Sequence, residues 1–173
     1  MAWKATVKRP DVIKKLILVD AAGYPQKIPR ALRFFITPVI DRFAAKMTPR
    51  WIFEQAVSSL FVDPSRIPPE FRDRFYDMLL REGNRDSARE VLTYMDSRKD
   101  EYPKEIATIK IPTLILWGSE DSWVPTRIAA MFKKDIPDAE VIIYPDVGHL
   151  PMMEVPEMSA RDAHRFLSQS VPD

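Results

Sequence analysis

The sequence predicts an α/β protein: a parallel, doubly wound sheet with a long helical insertion. Three observations carry this expectation. The runs Lys15–Asp20 (KLILVD), Thr113–Trp117 (TLILW) and Glu140–Tyr144 (EVIIY) are nearly continuous in Leu, Ile and Val, the pattern of strands buried on both faces. Helical patterns flank or separate them, the alternation expected of a parallel sheet with right-handed crossovers. Between the first and second runs, residues 28–102 show no strand pattern but several amphipathic helices, too long a segment for a simple crossover.

In chain order, Met1–Lys8 reads as the tail of a helix closed by Pro10, and the first strand follows. Thr48 is placed to cap a helix with Pro49 at its first position, and Ile52, Phe53, Ala56, Val57 and Leu60 then share one face. A second helix begins near Pro69, with Phe71, Phe75, Met78 and Leu79 at helical spacing, and ends at Gly83-Asn84. A third aligns Ala88, Val91, Leu92 and Met95. After the second strand, Pro125–Lys134 carries a stripe of Ile128, Ala129 and Phe132. After the third, Glu154–Ser168 is expected to turn Ala163, Phe166 and Leu167 inward. The expected organisation is a core of residues 1–27 and 103–173 with a helical subdomain over 28–102.

Composition narrows the function classes. A chain of 173 residues with 46% hydrophobic and 29% charged residues is expected to bury about two thirds of its unfolded surface. A net charge of +1 gives no reason to expect nucleic acid or an anionic membrane as partner. The absence of cysteine removes disulfides, thiolate metal sites and a cysteine nucleophile. His149 and His164 are the only histidines, too few for a histidine-rich metal centre, and no metal or organic cofactor is expected. All four glycines (Gly23, Gly83, Gly118, Gly148) are isolated, so neither a P-loop nor a dinucleotide fingerprint can be assembled. No run approaches the roughly 18 apolar residues of a membrane span, and no signal peptide opens the chain. A cytoplasmic location is favoured on that basis, though an upstream segment would carry any targeting signal.

The chemistry is expected at two strand ends. TLILW runs into Gly118-Ser119-Glu120-Asp121, and EVIIY runs into Pro145-Asp146-Val147-Gly148-His149. Open α/β sheets place their ligands at the C-terminal ends of strands, so an Asp and a His leaving neighbouring strands can meet there. A carboxylate beside an imidazole fixes its tautomer and stabilises the imidazolium formed when it takes a proton. The glycine before each residue fits a sharp exit with positive φ. Asp121 has a blander role open to it, capping the helix ahead of Pro125. Asp20 is a rival acid, and equally a turn residue before Ala21-Ala22-Gly23. His164, beside Arg161, Asp162 and Arg165, reads as helix surface, and Glu120 and Asp146 as solvent-facing loop charges.

Together, WGSEDSWVP and DVGHLPMMEVPE resemble the acid and histidine motifs of the α/β-hydrolase superfamily, in its cap-bearing esterase and meta-cleavage hydrolase-like branch. The opening MAWKATVKRPDVIKKLILVDAAGYP resembles the helix and strand that follow that family's nucleophile elbow, and the helical middle matches its variable lid. The resemblance implies Asp121 as catalytic acid and His149 as base, with some family members shifting the acid to the strand that Asp20 ends. None of the ten serines stands in the G-x-S-x-G elbow, which the resemblance would put about one to two helical turns before Met1. The oxyanion-hole donors would be missing with it, and the chain alone is expected to be inactive.

The resemblance therefore implies a serine hydrolase seen without its N-terminal part, acting on a small or medium apolar ester or cleaving a vinylogous diketone at a C–C bond. Trp123, Val124, Leu150 and Met152 flank the expected pair and are candidates for lining an acyl pocket; packing is the alternative for each. Phe34, Phe35, Trp51, Phe53, Phe61, Phe71 and Phe75 are candidates for shaping substrate selection, or for packing within the lid. A second function class stays open: a non-catalytic, hydrolase-derived protein that binds a small apolar ligand or a partner chain. It predicts saturable binding without turnover. Finally, the strand at Lys15–Asp20 is expected to present an unpaired edge, a template for self-association or for pairing with an N-terminal fragment.

Overall fold

Strand β2 (Thr113–Gly118) is buried along all six residues, as a central strand must be when both its faces are covered. It lies between β1 (Leu16–Val19) and β3 (Glu140–Tyr144) in a parallel three-stranded sheet of order β1-β2-β3. The register pairs Leu16 with Thr113 and Leu114 with Glu140, so successive residues of β2 point to opposite faces. The computed structural model describes residues 2–29, 32–33, 36–37 and 48–170.

The alternation along β2 divides the core. Ile115 and Trp117 pack on one face with Trp3 of α1 (Ala2–Lys8) and with Ile128, Ala129 and Phe132 of α5 (Arg127–Asp135). Leu114 and Leu116 pack on the other with Tyr144, Val147 and Phe166 of α7 (Pro156–Ser168), which follows the single turn α6 (Pro151–Glu154). Burying a side chain such as Phe132 or Leu114 stabilises the fold by roughly 1.5–3 kcal/mol relative to leaving it exposed. Helices on both faces and parallel strands make this the expected doubly wound α/β layer.

Where the strands stop has local causes. Lys15 leaves the ladder because its ammonium donates to the carbonyls of Phe166 (2.7 Å), Leu167 (2.9 Å) and Gln169 (2.5 Å). A cation there satisfies carbonyls that the end of α7 leaves open and complements the helix dipole. Asp20 leaves at the other end, where its φ of +41° turns the backbone out of the strand. The helix expected over Glu154–Ser168 is broken at Val155 (φ −133°, ψ 59°), which Pro156 keeps out of the helical region. Phe166 is buried as expected, whereas Leu167 is 56% exposed.

The chain divides into two compact units, Met1–Tyr24 with Tyr102–Asp173 and Pro25–Glu101. The points where the chain leaves and re-enters the first unit are tied together. Tyr24 and Tyr102 pack edge to face at 5.4 Å, and both hydroxyls donate to Asp135 Oδ2, at 2.9 and 2.8 Å. Burial and the Asp135 carboxylate hold the Tyr24 phenol above its ordinary range.

The described elements of the second unit are all helical, with α2 (Arg50–Ser58), α3 (Pro69–Leu80) and α4 (Asn84–Ser97). Pro49 takes the cap position of α2 with no side-chain cap; Thr48 is buried instead, its carbonyl accepting the Tyr76 hydroxyl at 3.0 Å. Phe53, Ala56, Val57 and Leu60 are buried as their spacing predicts, while Phe75, Met78 and Val91 stay exposed. Aromatic contacts knit the unit: Phe53 with Tyr76 at 5.2 Å, Phe71 with Phe75 at 4.1 Å. Trp51 is 67% exposed, and Phe34 and Phe35 lie outside the described residues.

Candidate active site

The site is built where the ends of β2 and β3 touch. Gly118 closes β2 opposite Tyr144, and the loops beyond are laced by the Ser119 N–H to Tyr144 O (2.9 Å), the Glu120 N–H to Val147 O (2.9 Å) and the Asp146 N–H to Ser119 Oγ (3.0 Å). The reason for glycine at 118 is this closeness. A Cβ there would meet Gly148 O at 1.9 Å and Val147 O at 2.4 Å. The expected positive φ at Gly118 and Gly148 is not found: among the described residues, Gly83 is the glycine in that region, and Asp20 and Asp146 make the left-handed turns. Asp is among the residues that tolerate this backbone better than most.

Asp121 and His149 meet across the laced loops. His149 Nδ1 lies 2.8 Å from Asp121 Oδ2, with the carboxylate fully buried and the imidazole 20% exposed. The other oxygen, Oδ1, accepts the backbone N–H groups of Trp123 (2.7 Å) and Val124 (2.9 Å). Asp121 does not cap the helix that follows, whose cap position is Thr126 with no side-chain cap; Oδ1 closes the local turn instead, and Oδ2 faces the imidazole. The two backbone N–H groups on Oδ1 hold the carboxylate with Oδ2 turned to His149. The carboxylate contact engages Nδ1 of the ring and not Nε2.

The other predicted residues sit as follows. Asp20 is buried at the end of β1, and its Oδ1 accepts the Gly118 N–H at 3.0 Å. Burial, and after it the nearby Asp121 carboxylate, push its carboxyl up to about 8. Trp123 stacks on His149 with centroids 5.6 Å apart and an interplanar angle of 22°. Val124 is buried, its carbonyl accepting the Trp117 indole N–H at 2.9 Å, while Leu150 is half-buried and Met152 is 47% exposed. His164 is exposed on α7, and Glu120 and Asp146 are exposed.

Sequence reasoning missed Glu154. Its Oε1 accepts the Gly148 N–H at 2.7 Å and so fixes the loop that presents His149. The signal was the acid five residues after His149 in HLPMME, but its direction depends on the single turn α6, which spacing alone does not orient. Among the described residues, Asp20, Asp121 and His149 bring ligand-type atoms within 4.8 Å of one another. The Asp121–His149 hydrogen bond engages Nδ1 and Oδ2 of two of these residues.

The model describing the alpha/beta hydrolase fold matches residues 1–156. The chain belongs to the α/β-hydrolase fold family. Among its curated relatives, Lipase 1 of Psychrobacter immobilis is 29% identical over 162 residues, covering 93% of this chain and 50% of the lipase. This α/β-hydrolase chain therefore spans about half the length of that relative. Among solved structures, a meta-cleavage product hydrolase from Pseudomonas fluorescens is similar with a TM-score of 0.78 at 19% identity, over 96% of this chain and 60% of that one. A thermophilic esterase from Thermogutta terrifontis is similar with a TM-score of 0.72 at 26% identity, over 96% of this chain and 60% of the esterase.

Proposed function

We propose that this chain carries the acid and base of a serine hydrolase that cleaves carboxylic esters, the nucleophile and oxyanion donors being supplied by residues upstream in a longer polypeptide. The observation that carries the proposal is the 2.8 Å Asp121–His149 contact at two adjacent strand ends, with the second carboxylate oxygen held by two backbone N–H groups. Such a pair does one thing well: it takes up and returns a proton at Nε2.

In the proposed reaction the serine oxygen attacks the acyl carbon as its proton passes to His149 Nε2. Collapse of the tetrahedral intermediate breaks the C–O bond, and the imidazolium returns the proton to the leaving alkoxide. Water then attacks the acyl-enzyme by the same relay and releases the acid. Asp121 keeps Nδ1 protonated throughout. Ester cleavage is favoured over C–C cleavage because the likeness to a lipase, at 29% identity, runs over 93% of this chain and that to an esterase, at 26%, over 96%. A 2-hydroxy-6-oxo-dienoic acid hydrolase that is 37% identical matches only 39% of it, and the meta-cleavage hydrolase structure, at 19% identity, bears on fold alone. Residues 28–102 are assigned as the family's helical cap, and Trp123, stacked on His149, as the pocket wall beside the reacting atoms.

A serine-directed fluorophosphonate tests this. In the longer polypeptide it should label one serine outside residues 1–173 and abolish turnover of a p-nitrophenyl ester, while the chain alone stays unlabelled. Labelling at one of the ten serines here would overturn the location of the nucleophile. No labelling and no turnover in the longer polypeptide would overturn the function.

The outer edge of β1, which pairs only with β2 among the described residues, is assigned as the seat of a further strand. In the chain taken alone, a second copy competes for its open N–H and C=O groups. Light scattering should then show mass rising with concentration. A monomer that persists at high concentration would contradict this.

A further inference from the structure

We propose that Asp20 carries a proton and donates it to the Asp121 carboxylate, so that the site holds a carboxyl–carboxylate–imidazole chain in which Asp20 is a positioning residue. Asp20 and Asp121 leave the ends of neighbouring strands, and their carboxyl oxygens, with the ring nitrogen of His149, lie within 4.8 Å of one another. Both carboxyls are buried. Asp121 has donors on both oxygens, from Trp123, Val124 and His149. Asp20 has one donor, the Gly118 N–H on Oδ1. Its Oδ2 is buried with no hydrogen-bond partner among the described residues.

Two buried carboxylates side by side repel, and a single proton relieves both the repulsion and the bare oxygen. The proton is placed on Asp20, because both oxygens of Asp121 already have N–H partners whereas Oδ2 of Asp20 has none. Oδ2 of Asp20 then becomes a donor, and the Asp121 carboxylate that faces His149 is within 4.8 Å of the Asp20 carboxyl. The titratable groups around it are Asp121, Glu154 and His149. Burial and the charges of Asp121 and Glu154 raise the Asp20 carboxyl to about 8, against the pull of the Gly118 N–H. Its φ of +41° shows that the backbone is bent to bring this side chain here, in a conformation unfavourable for a residue with a Cβ.

The protonation stands on this geometry alone; the positioning role rests on the acid–base reading of Asp121 and His149. The first test is a carboxyl-carbon NMR titration of the chain, with Asp20 assigned by Asp20→Asn. Asp20 should titrate near 8, against about 3.9 for an ordinary Asp. A midpoint at or below about 5 overturns the proposal. The sign for stability follows. The folded chain keeps a proton that the unfolded chain has lost above about pH 4, so stability falls as pH rises through this window toward 8, and Asp20→Asn removes that slope.

The second test separates position from charge. Asparagine keeps a donor and tolerates positive φ; glycine removes the side chain without strain. Asp20→Asn should leave the downfield Nδ1–H resonance of His149 in place, and in the longer polypeptide keep kcat within a few-fold. Asp20→Gly should shift that resonance and lower kcat at least about tenfold with KM unchanged. Identical behaviour of the two variants would overturn the positioning role. A titration near 8 together with full activity in His149→Ala would leave the shared proton standing and remove the acid–base reading.

Discussion

Replacing His149 with alanine in a polypeptide that includes the nucleophile should lower kcat for ester hydrolysis by roughly 10⁴- to 10⁶-fold, with little change in KM. In the proposed mechanism the effect falls on kcat because the imidazole acts in the transition state, moving a proton as the tetrahedral intermediate forms and breaks. Its size follows from the triad acting as a unit, so that loss of one member removes most of what all supply. The fold should survive, since His149 sits on a loop held by Glu154 and by the strand-end contacts rather than by its own ring. An unchanged melting temperature beside the lost activity identifies a chemical defect. Near-full activity in His149→Ala would remove it from the reaction.

Gly118→Ala should act on structure instead. The added methyl carbon would lie 1.9 Å from Gly148 O and 2.4 Å from Val147 O, both backbone atoms that no side-chain rotation can move aside. The loops after β2 and β3 must part, and the bonds of Ser119, Glu120 and Asp146 that lace them are lost together. The expected cost is about 3 kcal/mol or more, a fall in melting temperature of roughly 6–12 °C. Gly83→Ala is the contrasting control. Gly83 has a φ of +79° but open space around it, so alanine there pays about 1–2 kcal/mol of backbone strain and leaves the site intact. Equal melting temperatures for Gly118→Ala and the parent chain would show that close approach does not select glycine at 118.

The strands were readable because burial on both faces demands uninterrupted apolar residues, and TLILW meets that demand across the whole of β2. Their ends were less readable, because Lys15 and Asp20 leave the ladder for partners far away in the chain, at the end of α7 and at Gly118. The break at Val155 carried a local signal, the proline after it. Leu167 and Val91 fit helical stripes yet are exposed, since spacing sets a face but not how far its neighbour reaches. At the site, Asp121 and His149 were readable as residues leaving adjacent strands. That each oxygen of Asp121 has its own task, that Trp123 stacks on His149 and that Asp20 joins them are matters of side-chain direction, which spacing does not encode.

The measurement that bears most directly on the acid–base pair is a double-mutant cycle on ester hydrolysis in the longer polypeptide, with Asp121→Asn, His149→Ala and both together. Asp121→Asn alone should cost about 10⁴-fold in kcat, because the imidazole loses the partner that fixes its tautomer, and the double variant should be no slower than His149→Ala. Losses that multiply, or an Asp121→Asn enzyme within about tenfold of the parent, would mean that the 2.8 Å contact between these two residues is structural and that the chemistry lies elsewhere.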